Sequence, residues 1–211
     1  MKISFRGEEL ILDKERALYL PKEKLLAISD LHLGKAAHFR KSGLAIPNAV
    51  SKNDLERLSA LLHQYQPEIL LINGDMFHSD HNSEIDEFIA WRQQFSSIEF
   101  ILVKGNHDKQ HDNIYAASRV TVKDPTYQTN DFCFIHDAFK CESPLYSIGG
   151  HIHPGVRMYN KAKQSIKLPC FYFGNEYAIL PAFSTFTGLQ VVQARENDAI
   201  YAVTPSKIVE I

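Results

Sequence analysis

The stretch Leu25-Leu26-Ala27-Ile28-Ser29-Asp30-Leu31-His32 decides the fold of this chain. Its four leading apolar residues form a short run without polar alternation, the pattern of a strand buried on both faces, and Ser29-Asp30 delivers a carboxylate at the C-terminal end. The same arrangement recurs twice further on. Ile69 to Ile72 ends in Asn73-Gly74-Asp75, and Phe100 to Val103 ends in Gly105-Asn106-His107-Asp108. Between these runs the apolar period becomes helical. Leu55, Leu58, Leu62 and Tyr65 share one face behind Ser51 and Asp54 at capping-box spacing, and Pro67 closes the helix. A second helix starts at Ser83, with Asp86 three residues on, and buries Ile85, Phe88, Ile89 and Phe95. Strand, helix, strand, helix, strand is the crossover rhythm of an α/β fold.

On the N-terminal side, Ile3 to Leu20 alternates apolar and polar residues and reads as a β-hairpin. After about residue 120 the chain turns β-rich, with runs at Val120-Thr121-Val122, Phe132 to Ile135, Tyr146 to Ile148, Ile166 to Phe173, Leu189 to Val192 and Ile200 to Val203. Two mixed sheets packed face to face, with helices outside, accommodate both halves. The expected architecture is a four-layer α/β/β/α sandwich. No repeat, low-complexity tract or long linker interrupts the 211 residues, so a single domain over residues 1–211 is expected. Composition is ordinary for a globular chain, and a net charge of -2 gives no global sign of a nucleic-acid or membrane surface. Cys133, Cys141 and Cys170 are too few and too irregularly spaced for a disulfide framework or a thiolate zinc site. The N-terminal MKISFRGEEL carries charges where a signal peptide needs an apolar run, and no segment reaches transmembrane length. Reduced cysteines and a cytoplasmic location are the expectation.

The chemistry sits at the strand ends. Asp30-Leu31-His32, Gly74-Asp75, Gly105-Asn106-His107-Asp108 and Gly150-His151-Ile152-His153 are polar tips, and Phe132 to Ile135 ends in His136-Asp137. Ligands of α/β sheets bind at the carboxyl ends of strands, so these tips can converge on one rim. Where the chain stays extended, residues two apart project to the same side, which pairs Asp30 with His32 and His151 with His153. A lone histidine is more often a hydrogen-bonded structural residue than a ligand. Five of them at strand ends, close to glycine or aspartate, point to metal. Mixed imidazole and carboxylate donors suit manganese, iron, zinc or nickel, whereas an all-oxygen set would suit magnesium or calcium. Asp30, His32, Asp75, Asn106, His136, His151 and His153 exceed what one ion needs and fit two ions bridged by a carboxylate.

Asp-x-His, Gly-Asp, Gly-Asn-His-Asp, a later His and Gly-His-x-His, in this order from Asp30 to His153, resemble the calcineurin-like metallophosphoesterase superfamily. The resemblance implies that Asp30, His32 and His153 hold a first metal, that Asn106, His136 and His151 hold a second, and that Asp75 bridges both. It makes His107 the general acid for the leaving oxygen, with in-line attack on phosphorus by a hydroxide bridging the two metals and no phosphoenzyme. Two divalent ions, manganese ahead of iron, zinc or nickel, are the implied cofactors. An imidazole suits general-acid work because its unperturbed pKa is roughly 6.5. Asp108 and Asp137 are candidates to accept the second ring proton of ligand histidines, or equally to cap turns. The chain departs from the family's protein phosphatases after Gly74-Asp75. It reads Met76-Phe77-His78-Ser79-Asp80 where they continue x-x-Asp-Arg-Gly, so the aspartate that orients the catalytic histidine and the phosphate-gripping arginine are absent. Protein serine/threonine phosphatase activity is therefore disfavoured, and His78 is left as a supporting or merely rim histidine.

Further stretches resemble one bacterial subgroup, the DNA ligase-associated metallophosphoesterases: Asp30-Leu31-His32-Leu33-Gly34-Lys35, Gly43-Leu44-Ala45-Ile46-Pro47, His153-Pro154-Gly155, Leu168-Pro169-Cys170-Phe171, Leu180-Pro181-Ala182-Phe183 and Phe186-Thr187-Gly188. That resemblance implies a phosphodiesterase or nuclease-like activity, a link to a DNA ligase and a helicase, and a role in DNA repair, with no membrane partner. Lys35, His38, Arg40 and Lys41 follow the first ligand motif, and Arg157, Lys161, Lys163 and Lys167 follow the last. These clusters either grip phosphates beside the scissile bond or are solvated loop charges, and Lys35 is the best placed for phosphate binding. Phe171, Tyr172, Phe173, Tyr177, Phe183 and Phe186 read as core in preference to base-stacking residues. A phosphodiester hydrolase acting on DNA leads. A small-molecule phosphoesterase for a nucleotide, cyclic nucleotide or lipid pyrophosphate follows, and a non-catalytic scaffold of the same fold comes last.

Overall fold

The computed structural model describes residues 1–41, 43, 49–78, 82–159 and 165–211, apart from the side chains at 38, 41 and 49–51. Strands β1 (Lys2–Phe5), β2 (Glu8–Asp13), β3 (Ala17–Leu20), β4 (Leu25–Ile28), β5 (Ile69–Asn73), β6 (Glu99–Val103) and β7 (Val120–Lys123) form one sheet in chain order. Its first four strands are antiparallel and β4 to β7 are parallel. The segment expected as one hairpin is therefore a three-stranded meander. Arg6 and Gly7 both take positive φ (52° and 87°), which makes the two-residue turn between β1 and β2.

Helix α1 (Lys35–Lys41) follows β4, α2 (Ala49–Tyr65) leads to β5, α3 (Ser83–Arg92) to β6 and α4 (Asp112–Ala117) to β7. Two helix starts differ from the sequence expectation. Ser51 lies inside α2, not before it, and Asp54 is an interior residue whose buried carboxylate accepts from Arg57 Nη1 at 2.9 Å. The N-cap of α3 is Asn82, one residue ahead of Ser83, and its side chain accepts from the Glu84 amide.

A second mixed sheet carries the order β14-β11-β12-β13-β10-β9-β8, with β15 pairing β12 and β16 pairing β15. These strands are β8 (Thr126–Gln128), β9 (Phe132–Ile135), β10 (Tyr146–Gly149), β11 (Pro154–Tyr159), β12 (Ser165–Phe173), β13 (Tyr177–Ile179), β14 (Gln190–Val191), β15 (Ala199–Val203) and β16 (Ile208–Glu210).

Alternation along single strands shows how the layers stack. Leu26 and Ile28 of β4 face the core shared with α2, α3 and α4, while Leu25 and Ala27 face the core between the sheets, as a central parallel strand requires. In β12, Phe171 and Phe173 enter the inter-sheet core, and Cys170 and Tyr172 enter a smaller cluster on the far face of the second sheet. The expected four-layer sandwich of two mixed sheets flanked by helices is the fold. Its helices lie on the first sheet, and the 3-10 turn Ala138–Lys140 packs on the second. Each fully buried Leu, Ile or Phe contributes roughly 1.5–3 kcal/mol by leaving water. Of the C-terminal aromatics, Phe171, Tyr172, Phe173 and Phe183 are core as expected. Among the described residues no helix is long and apolar enough to cross a membrane.

The parallel strands β4, β5 and β6 end on one rim, and β9 and β10, also parallel to each other, end beside it. Asn73, at the end of β5, ties the two rims. Its buried Nδ2 donates to the carbonyls of Ile135 (3.3 Å) and Ile148 (2.9 Å).

Candidate metal centre

Asp30, His32 and Asp75 emerge from the first rim, and His136, His151 and His153 from the second. They fall into two groups, Asp30 with His32 and His153, and Asp75 with His136 and His151, whose donor atoms lie within 4.8 Å of one another. Each group draws on both sheets. Asn106 joins the second group, its Oδ1 3.1 Å from His136 Nε2. All seven ligand candidates therefore meet at one rim.

The backbone reaches this arrangement by a route that alternation did not suggest. Asp30, His32, Asp75, His151 and His153 have φ between 49° and 66°, the left-handed region. The pairs two residues apart thus sit on tight turns instead of extended chain. Such conformations cost of order 1–3 kcal/mol each and persist where the surrounding fold over-determines them. Here cross-links do so: the Asp30 amide donates to Gly74 O, the His32 amide to Asp75 O and the His151 amide to Asp30 Oδ2, at 3.1, 2.9 and 3.2 Å.

Two glycines leave room for ligands. A Cβ on Gly74, at φ 84°, would stand 1.9 Å from His136 Nδ1, and one on Gly150 would stand 1.7 Å from Ser29 Oγ and 2.6 Å from Asp30 Oδ2. Ser29 Oγ in turn donates to Asp30 Oδ2.

The donor set fits divalent cations. In the first group, Asp30 Oδ1 is buried without a hydrogen-bond donor, and His153 Nε2 stands 3.4 Å from it. His32 Nε2 and His153 Nε2 face each other at 3.3 Å. Burial drives the His32 imidazole down to about 3, against the pull of Asp30, so its lone pair is available at neutral pH. In the second group, His136 Nε2 lies 3.1 Å from Asn106 Oδ1, 3.1 Å from His151 Nδ1 and 3.5 Å from Asp75 Oδ1. Nitrogen and oxygen lone pairs crowded around such points suit two transition-metal ions. The other nitrogen of His136 faces the Asn73 carbonyl at 3.4 Å, the orienting contact that ligand imidazoles commonly make. Burial would raise the Asp75 carboxyl, but the hydrogen bond and charge of His136 and the His107 amide bring it to about 2. The same pairing raises His136 in spite of its burial.

His107 is set apart. Its ring is 43% exposed, with Nε2 4.0 Å from Asp75 Oδ2, while its amide donates to Asp75 Oδ1. His78, three residues beyond Asp75, stacks on that ring with centroids 4.9 Å apart, and Phe39 stacks on His78 at 6.4 Å. Asp137 caps the 3-10 turn that follows it, and Asp108 ties its own turn to the loop after β5. Asp108 is fully buried and accepts from the amides of Phe77 (2.9 Å) and Gly105 (2.8 Å), and burial raises its carboxyl to about 7. Asp137 accepts from the Phe139 amide and pairs with Lys140. Of the two roles open to these aspartates, their hydrogen bonds go to backbone amides, and the backbone oxygen of Asn73 faces the second ring nitrogen of His136. Sequence reasoning does not single out Asn73. Its one signal is a polar residue closing an apolar strand directly before Gly74-Asp75.

The basic residues divide. Lys35 opens α1, and burial lowers its ammonium against the attraction of Asp30 and Asp75. Arg40 is committed to Glu84 at 2.7 Å. The side chains of His38 and Lys41, residues 44–47, Ser79, Asp80, Lys161 and Lys163 lie outside the described residues. Beside the second group opens a cleft of about 820 Å³, lined by Asn106, His136 and His151 and by Lys104, Gln128 and Lys140 among others.

The family model for calcineurin-like phosphoesterases matches residues 23–162, more than half of the chain and all of the ligand candidates. The chain belongs to the calcineurin-like phosphoesterase family. It is similar to the nuclease MPE of Pseudomonas putida, with a TM-score of 0.83, 26% identity and coverage of 96% of both chains. It is also 33% identical over 88 residues to the DNA double-strand break repair protein Mre11 of Nanoarchaeum equitans, a match covering 40% of the phosphoesterase and 23% of the relative. The chain therefore spans about a quarter of that relative's length.

Proposed function

We propose that this phosphoesterase is a single-domain phosphodiesterase that cleaves nucleic acid, DNA before RNA, with the seven rim residues as metal ligands and His107 as general acid. The observation that carries the substrate class is the likeness to a nuclease along 96% of both chains. Asp30, His32 and His153 would hold one ion and Asn106, His136 and His151 the other, with Asp75 placed to serve both. Two divalent ions, manganese ahead of iron, zinc or nickel, supply the clamp on the non-bridging phosphate oxygens and acidify the attacking water.

The protein's own groups do the rest. Lys35, held among the ligand carboxylates, adds positive charge for a phosphate oxygen. Water adds in line to phosphorus as the bond to the leaving oxygen breaks, and His107 Nε2 gives that oxygen its proton, leaving an alcohol and a phosphomonoester. The attacking water's proton goes to solvent. His78, stacked on His107, keeps its ring plane fixed in place of the aspartate found in related protein phosphatases. The reaction is assigned to DNA repair, with a functional link to a DNA ligase and a helicase, as the subgroup resemblance implies, and the cytoplasm is its proposed location.

A second reading, hydrolysis of a free nucleotide or other small phosphate ester, is favoured by the size of the 820 Å³ cleft alone. A turnover panel with Mn²⁺ separates the two. Bis-p-nitrophenyl phosphate and single-stranded DNA should be hydrolysed in preference to p-nitrophenyl phosphate and free nucleotides. Inertness toward every diester refutes the proposal.

A further inference from the structure

The β11–β12 hairpin leaves the site directly after His153. Its register pairs Gly155 with Pro169, Val156 with Leu168, Arg157 with Lys167, Met158 with Ile166 and Tyr159 with Ser165. Side chains alternate between the two faces of such a ribbon. Val156 and Leu168 anchor one face in the cluster against Ile200 and Ala202, so the ribbon's base is fixed to the second sheet. The other face begins with the buried pair Gly155 and Pro169 and continues outward through Arg157, Lys167 and Tyr159, all exposed.

Three properties of that outer face need explanation. Arg157 and Lys167 stand directly opposite each other, and like charges in that position destabilise a strand pair. Neither has an ion-pair partner among the described residues, and residues 143–175 contain no Asp or Glu at all. Tyr159, an aromatic ring that folding normally hides, is 67% exposed on the same face. Two unpaired cations and one free ring on a firmly anchored ribbon are the elements that bind a nucleic-acid strand without reading its sequence: charges for phosphates and a platform for a base. Four residue steps from Gly155 to Tyr159 extend the face about 13 Å from the metal rim, beyond the reach of a small diester.

We propose that this face of the β11–β12 ribbon carries the single DNA strand that runs on from the scissile phosphodiester, with Arg157 and Lys167 each neutralising a phosphate and Tyr159 stacking on an unpaired base. The inference rests on the phosphodiesterase reading above.

Binding of a fluorescein-labelled oligothymidylate to the Mn²⁺-loaded protein, in a His107→Ala background that slows cleavage, tests it across a salt series. Arg157→Ala/Lys167→Ala should lower the slope of log K against log salt by about 1.4, two single-strand phosphate contacts at about 0.7 each. Tyr159→Ala should weaken binding about tenfold with the slope unchanged. Lys2→Ala/Lys22→Ala, the same loss of charge on β1 and in the β3–β4 turn, should change neither. With His107 restored, the charge variant should lower kcat/KM for the oligonucleotide relative to that for bis-p-nitrophenyl phosphate by tenfold or more. An unaltered slope and affinity overturn the ribbon proposal, as does an equal fall for both substrates. A Tyr159→Ala protein that binds as tightly as its parent overturns the single-strand assignment. Failure of the unmodified protein to hydrolyse any diester would sink the phosphodiesterase reading instead, a result visible without any ribbon variant.

Discussion

Replacing Gly74 with alanine should remove one metal ion and leave the other. Gly74 sits at φ 84°, and the added Cβ would lie 1.9, 2.3 and 2.8 Å from Nδ1, Cγ and Cβ of His136. Ordinary carbon contact begins near 3.5 Å, so the ring must retreat by about 1.5 Å or the loop must move. The loop is pinned: the Gly74 amide donates to Ile72 O, and Gly74 O accepts from the Asp30 amide, both at 3.1 Å. Retreat of His136 breaks its approach to Asn106, His151 and Asp75, the whole second group. A misplacement of about 1 Å at a reacting centre costs on the order of 100-fold, about 2.7 kcal/mol. The left-handed backbone adds roughly 1–2 kcal/mol of destabilisation for any L-residue. Gly7→Ala isolates that second contribution, because Gly7 has φ 87° and a Cβ added there meets nothing within 4 Å. Elemental analysis should find two ions per chain in the parent and in Gly7→Ala, and one in Gly74→Ala, whose diester turnover falls at least 100-fold. Two bound ions and turnover within threefold of the parent in Gly74→Ala refute the reasoning.

Three further outcomes follow from other contacts. His107→Ala should keep both ions and lose about 10²–10⁴ in turnover on DNA, and less on bis-p-nitrophenyl phosphate, whose leaving group needs little protonation. A DNA rate within threefold of the parent rules out the proton-donor role. Asn73→Ala strands the Ile135 and Ile148 carbonyls in the interior and should cost roughly 2–5 kcal/mol in urea unfolding; a change below about 1 kcal/mol contradicts the tie between the rims. Asp108 sets a pH dependence in the metal-free protein. Its folded carboxyl titrates at about 7 against roughly 3.9 when unfolded, so the folded state holds the extra proton between these values. Relative to Asp108→Asn, the parent's stability should therefore fall as pH rises from about 4 to 7, by up to roughly 4 kcal/mol, and flatten above, while His32, held down at about 3, adds a rise with pH common to both proteins. A difference in stability between parent and Asp108→Asn that is the same at pH 5 and 7.5 excludes this role.

Much of this was legible in the sequence because burial on both faces leaves a plain signature. Leu25–Ile28 and Phe132–Ile135 are strands with the limits that their apolar runs mark, and each ends at a ligand candidate. The ligand candidates were legible for the same reason, as polar tips on apolar runs. What the sequence hid depends on partners distant along the chain. Asp108 is held by Phe77, 31 residues earlier, and not by an imidazole. The left-handed turns at the ligand candidates carry no local sign, since Asp and His are not residues that demand them. Helix α2 extends to Ala49, ahead of Ser51 and Asp54, because Asp54 answers Arg57 and the Thr185 amide across the fold instead of an N-terminal turn. Short strands such as β13 and β16 have too few residues for a period to show.

Because both groups of candidate ligands take donors from both sheets, ions held there would join two layers that also meet through apolar side chains and hydrogen bonds such as those of the Asn73 amide and of Arg6 Nη2 to Asn175 O. The rim works as a caliper closed across the sandwich. Any change that alters the spacing of the layers, even at Leu71 or Phe134 deep in the shared core, becomes a change in the grip on metal. Metal affinity would thus report on packing well away from the rim, and catalytic competence would be lost before the fold itself gives way.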